Sequence, residues 1–438
     1  MKLESCNFAK CKKRLMPSWL YLLLFFSCFS CKDSDSTDEL FNPNAPVEVT
    51  AIIPPTGAVA LPLVINGKNF GNDKTKIKVF FDDVQAQVIT AKNEHLYILN
   101  PRQTGGDHTV KVIVEDKEGI LKEKFNYIVT SSVSTVAGSG EYDDIDGDAM
   151  EAAFVGPDNI AIDDKDNILA SDYRGRRVKL ISLNERKVTT LFKEGDYYGL
   201  CFSRDYSILY ISKESSQVLS NEVDCNANWL NTVIPNTVGM KYGCCATVVD
   251  TEGNVYYIGY TGGIAQKNIK TDKITVVGSI PDDLINIKAD GSGVDYYAAY
   301  NPKDNYIYIS TRYEHVIFRF KAGKDTLEKN DFEIYAGILG ESGLHNGTRL
   351  EATFKSPRGF DFDSRGNMYI ADCENNVIRM INPEGIVSTF IGKPEGGHKD
   401  GALEEALFHY PHDITISPED FIYVADAGNY RVRCIAIQ

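Results

Sequence analysis

Positive charge is in short supply. The 438 residues carry 46 Lys and Arg against 61 Asp and Glu, a formal net charge of −15. A surface of that sign does not suit nucleic acid, whose phosphates need a basic partner. Several well-known motifs are missing too. Cys201, Cys225, Cys244, Cys245, Cys373 and Cys434 are scattered, with no C-x-x-C pair at the spacing of a structural zinc site. One disulfide is open to an exported chain, but small buried thiols are the preferred reading. No G-x-S-x-G is present, nor a Gly-rich phosphate loop ahead of a helix. Asp143, Asp144, Asp146 and Asp148 surround Gly147, yet Tyr142 and Ala153 stand where an EF-hand loop needs acids. The cluster is read as solvating a loop, with a Ca²⁺ site as the unsupported alternative. His409 and His412 lie close together, but His315, His345 and His398 fall in unrelated loops, so a third zinc ligand is not apparent. No cofactor is expected.

What is present is a repeat. Asp146-Gly147, Ala152, Phe154 and Pro157 recur as Asn346-Gly347, Ala352, Phe354 and Pro357, and again as Asp400-Gly401, Ala406, Phe408 and Pro411. Each copy runs into a pair of short apolar runs, the second ending in Asp172, Asp372 or Asp426. Between Asp172 and Pro357 the motif decays but its rhythm continues, with inner strands starting near 157, 197, 242, 294, 357 and 411. A period of that length, several short strands per unit, predicts a β-propeller of six four-stranded blades. Ser132–Gly138 matches the outer strand Ile386–Gly392, and the last blade ends one strand short. The two should pair and close the ring, removing an unpaired edge. The aspartates ending the second strands are read as turn caps that accept backbone N–H groups.

Ahead of the propeller, residues 45–130 alternate apolar and polar residues in short runs with no helical period. That predicts an immunoglobulin-like sandwich. His95 and His108 are read as surface or packing residues. Residues 1–30 hold Lys10, Lys12, Lys13 and Arg14, then an apolar run from Trp19 to Ser30, too short to span a bilayer. Residues 31–44 are polar, acidic and read as a flexible linker.

Three resemblances follow. Ser30-Cys31-Lys32-Asp33 resembles a bacterial lipoprotein signal, which implies acylation of Cys31, although Cys28 stands where that signal usually has Leu. The acids that follow are similar to the tag carrying Bacteroidetes lipoproteins to the outer face of the outer membrane. Pro54-Pro55-Thr56-Gly57, Ile65-Asn66-Gly67-Lys68-Asn69-Phe70-Gly71 and Phe125-Asn126-Tyr127 resemble the IPT/TIG family over the whole of 45–130, implying a spacer or interaction module. Ala425-Asp426 followed by Asn429-Tyr430-Arg431-Val432, with its parallels after Asp172 and Asp372, is similar to NHL repeats. The fold class is therefore all-β, an immunoglobulin-like sandwich followed by a six-bladed β-propeller of the NHL type over 131–438.

Residues just before or at the start of inner strands should ring the channel mouth on one face. Asp158, Tyr198, Tyr242, Tyr297, Arg358 and His412 are the candidates, joined by Arg312 from a turn reaching the same face. Tyrosines stack on sugar rings, and Arg and Asp hold hydroxyls or a uronic carboxylate. The whole arrangement resembles auxiliary nutrient-binding proteins of Bacteroidetes polysaccharide-uptake systems. That implies a lipid-anchored outer-membrane protein facing the exterior. Its partners would be a glycan or other small nutrient, outer-membrane uptake-system proteins, and the membrane through its lipid. A protein–protein scaffold and a metal-dependent hydrolase or lyase of the propeller type are the alternatives.

Overall fold

The computed structural model describes residues 41–57, 62–101, 105–128, 131–172, 174–285 and 296–437. Cys31 and Tyr173 lie outside these residues. The chain divides into two compact units between Val129 and Thr130. Among the described residues every regular element is a strand except four 3-10 turns.

In the first unit, period-2 alternation builds the core face. Ile77, Val79 and Phe81 are buried while Lys78 is exposed, and Val110, Val112 and Val114 repeat the pattern on the paired strand. The larger sheet runs in the order Glu48–Ile53, Pro62–Lys68, His95–Leu99, Val84–Lys92, Ile77–Phe81, Val110–Val114, Lys117–Ile120. The smaller holds Thr56–Gly57, Phe125–Tyr127 and Gly106–His108. Phe81 meets Phe125 edge-on at 5.2 Å, joining the two sheets. Gly106–His108 reads as a turn in the sequence but is a strand, because Phe125–Tyr127 pairs with it. His95 contacts Asn66 at 2.9 Å and His108 contacts Asp82 at 2.8 Å, local roles in keeping with the sequence reading.

The second unit consists of six antiparallel sheets. Their innermost strands are Pro157–Ile162, Tyr197–Phe202, Cys244–Val249, Tyr296–Asn301, Pro357–Phe362 and Pro411–Ile416. Each touches the next, and the sixth touches the first, so the ring is closed. Ser131–Ala137 pairs antiparallel with Arg431–Ile437, Ser132 opposite Ala436 and Ser134 opposite Cys434. The expected closure is therefore present. Two expectations change. Blades 1, 5 and 6 carry a fifth, two-residue strand at Gly147–Asp148, Gly347–Thr348 and Gly401–Ala402, which covers the edge of the outer strand. Blade 3 starts its inner strand at Cys244, because Tyr242 and Gly243 take positive φ values of 64° and 82° that a strand does not accept.

The repeat frame now has a physical cause. In blade 6 the carboxylate of Asp426 accepts the His409 N–H at 2.8 Å and the Arg433 guanidinium at 2.8 Å, with both side chains fully buried. Arg433 also reaches Asp400 at 2.6 Å and lies over the Phe408 ring at 5.1 Å. Blade 5 repeats this with Asp372, Arg379, Asn346 and Phe354: Arg379 is 3.0 Å from Asp372, 2.8 Å from Asn346 and 5.0 Å from the ring centroid. In blade 1, Lys179 takes the arginine's place and pairs with Asp146 at 2.9 Å and Asp144 at 2.8 Å. The conserved frame thus locks the entry loop of each regular blade to its second and third strands. Two readings are corrected. Asp144 and Asp146 do more than solvate a loop, since they neutralise a buried lysine. The strand-end aspartates accept backbone N–H groups as expected, but in blades 5 and 6 they also hold a buried arginine.

Candidate functional site

The inner strands all start at one end of the channel, and four of those starts meet. Asp158 and His412 sit one residue into their strands, as does Tyr297, and Arg358 follows Pro357. His412 Nδ1 lies 2.5 Å from Asp158 Oδ1. Arg358 Nη1 lies 3.1 Å from the Tyr297 hydroxyl, 3.0 Å from His412 Nδ1 and 3.4 Å from Asp158 Oδ1. The side chains of Arg358, Asp158 and His412 are only 8%, 15% and 18% exposed. Nδ1 stands between a carboxylate, which only accepts, and a guanidinium, which only donates. The shorter contact takes Nδ1–H as donor to Asp158, so the Arg358 contact at 3.0 Å is not a hydrogen bond in this tautomer and the neutral ring keeps the Nε2 lone pair as an acceptor. Burial, and then the positive charge of Arg358, hold the His412 pKa below its usual value against the pull of Asp158. Burial pushes the Asp158 carboxyl up, but the hydrogen bond to His412 and the charges of His412, Arg358 and Arg174 outweigh it, and the net shift is downward. The result is a largely buried cluster offering guanidinium, carboxylate, imidazole and phenol groups from blades 1, 4, 5 and 6.

The other candidates stand around this cluster. Arg312 also lowers the His412 pKa by its charge and stacks over Tyr313 at 5.2 Å. Tyr198 is largely buried; its hydroxyl donates to Glu214 at 3.1 Å and its ring meets Tyr260 edge-on at 5.2 Å. Tyr242 is 37% exposed, with the Lys241 ammonium 4.8 Å from its ring centroid. The hydrogen-bonded cluster thus gathers Asp158, Tyr297, Arg358 and His412, while Tyr198 and Tyr242 belong to blades 2 and 3. Glu214 and Tyr260 were missed in the sequence. Glu214 and Tyr260 hold the place directly after a second strand that Arg312 holds in blade 4, and that shared position was the available signal.

Among the described residues, no group of three or more His, Cys, Asp and Glu side chains is placed to hold a metal ion. The six cysteines of these residues are free thiols. Burial raises Cys201, Cys244 and Cys373 to about 11, which removes their nucleophilic character near neutral pH.

A ring of six blades, two of them locked by buried Asp–Arg pairs, with a polar cluster at one mouth, defines an NHL-type propeller that follows an immunoglobulin-like domain in the sequence. Comparison with known proteins agrees. Residues 46–132 match the IPT/TIG domain, 271–399 the teneurin NHL domain and 408–435 the NHL repeat. Human Teneurin-1 is 29% identical over 165 residues, 32% of this chain, but the match spans only 6% of that much longer protein. The crystal structure of a structural genomics protein of unknown function from Bacteroides thetaiotaomicron is 27% identical, with a TM-score of 0.76 over 91% of this chain and 100% of that one. An auxiliary nutrient binding protein from the same organism is 23% identical, with a TM-score of 0.59 over 91% of this chain and 99% of that one. The chain carries an IPT/TIG domain followed by an NHL-repeat propeller.

Proposed function

We propose that this protein binds a carbohydrate or related nutrient at the mouth of its propeller channel, without catalysis. The observation that carries the reading is the buried cluster of Asp158, Tyr297, Arg358 and His412. Four blades contribute to it, and it lies outside the Asp–Arg locks that hold the fold. Such a set donates from Arg358 and accepts at His412 Nε2, which matches the mixed donor and acceptor hydroxyls of a sugar. The name of the auxiliary nutrient binding protein with the same fold supports a binding role. Arg358→Ala should weaken glycan binding by about 1–3 kcal/mol, roughly ten- to a hundredfold. The same substitution removes the cation that disfavours imidazolium, so the His412 pKa should rise. Calorimetric titration with the best hit of a glycan array, and NMR titration of the imidazole, read both effects. Unchanged affinity together with an unchanged pKa would sink the reading.

We also propose that Cys31 is acylated and that the body faces the cell exterior, with the IPT/TIG domain as a spacer. The support is the Ser30-Cys31-Lys32-Asp33 junction. Cys31→Ala should move the protein from the membrane fraction to the soluble one, and retention in the membrane would place the anchor elsewhere.

A further inference from the structure

In the three regular blades, the residue before the inner-strand proline has positive φ: Gly156 at 152°, Ser356 at 54° and Tyr410 at 48°. The lock imposes this. The strand-end aspartates grip the preceding N–H groups, of Val155 at 2.6 Å, Lys355 at 2.7 Å and His409 at 2.8 Å, whatever side chain comes next. Glycine is the residue of least cost there. Ser356 is small and buried, and it recovers a hydrogen bond from its hydroxyl to Glu374 at 2.9 Å. Tyr410 is different. It is bulky, left-handed and 45% exposed, and its ring lies 4.8 Å from that of the neighbouring His409. Its backbone N–H donates to Asn376, a bond that any residue could make. In blade 3 Gly243 holds the place just before the strand, and Tyr242, one residue earlier, is also left-handed, with φ 64°, and 37% exposed. A large, partly exposed aromatic at a conformation that disfavours it is poorly explained by folding. Blades 3 and 6 lie opposite each other in a ring of six, and blade 6 also supplies His412 to the polar cluster.

We propose that Tyr242 and Tyr410 are outer stacking subsites for an extended glycan, a chain of several rings lying across the mouth with an inner ring over Arg358 and His412. This rests on the carbohydrate reading above and adds the ligand's length. The test uses the whole protein and ladders of β-linked gluco-, xylo- and galacturono-oligosaccharides from one to six rings. In the series that binds, affinity should rise with length. Tyr242→Gly and Tyr410→Gly should each lower affinity for the longest member by about tenfold, leave the single ring unchanged and not lower the melting temperature. Arg358→Ala should weaken every length. If Arg358→Ala weakens binding but length has no effect, or the Gly variants bind long chains normally, the extended site is wrong and the simple site stands. If the Gly variants melt lower, the rings serve packing and the proposal falls. If the wild type binds no member of any ladder, both readings fall.

Discussion

A chain beginning at Glu141 is expected to melt roughly 10 °C or more below one beginning at Ser131. The shorter chain lacks the strand Ser131–Ala137, which completes blade 6 by pairing with Arg431–Ile437. Val133 and Ala137 are buried by that pairing, and losing a buried valine alone forfeits about 1.5–3 kcal/mol. Two further ties go with it. Thr135 N–H donates to Asp400 at 3.0 Å, and Arg431 donates to the Ser139 carbonyl at 2.6 Å. Several kcal/mol in all, at a few degrees each for a domain of this size, gives the stated drop. The edge left open on Arg431–Ile437 would also invite intermolecular pairing. Circular dichroism melts and light scattering on the two chains check both effects. Coincident melting curves would show that the ring does not need its closing strand.

That closure was legible because Ser132–Gly138 and Ile386–Gly392 share a residue pattern, and a repeat carries its own register. The regular blades were legible for the same reason. What escaped the sequence is whatever depends on a partner far along the chain. Asp144 and Asp146 looked like a solvated acidic loop because Lys179, which neutralises them, comes more than thirty residues later. Asp158, Tyr297, Arg358 and His412 could each be placed at the mouth from strand starts. That His412 bonds Asp158 across 254 positions, and that Arg358 bridges both to Tyr297, emerges only when the ring closes. Tyr242 was read at the start of an inner strand but takes a left-handed conformation ahead of it, since a β-strand and a left-handed entry residue read alike when followed by apolar residues. Arg433 stands two residues beyond Arg431, the arginine of the N-x-R pattern, and Arg379 is its counterpart in blade 5; neither was given a role from the sequence. Their role was hidden because total burial of an arginine contradicts the usual expectation for that residue.

Arg433→Ala is expected to destabilise the propeller by about 3–5 kcal/mol. The substitution leaves the Asp426 carboxylate buried with its strongest partner gone. It also strands the Leu407 and Lys399 carbonyls, which accept from Arg433 at 3.1 Å and 2.9 Å, and exposes one face of the Phe408 ring. Removing one member of a buried ion pair costs far more than removing both, because the remaining charge keeps its desolvation penalty. Arg433→Lys should fall in between. Blade 1 shows why: Lys179 reaches Asp144, Asp146 and the Ile145 carbonyl of the entry loop, and Asp172 there accepts the Val155 and Gly175 N–H groups and does not take a forked cation. An ammonium at 433 would keep the contact to Asp400 but could not also satisfy Asp426 and both carbonyls, since it lacks the planar fork. Asp426→Asn combined with Arg433→Ala should recover part of the loss by removing the orphaned charge. Urea unfolding of the single and double variants orders these effects. Under the proposed reading the same proteins should bind glycan normally while folded, because Arg433 belongs to the blade lock and not to the cluster of Arg358. An Arg433→Ala protein as stable as the wild type would mean that the buried pair does not hold the entry loop.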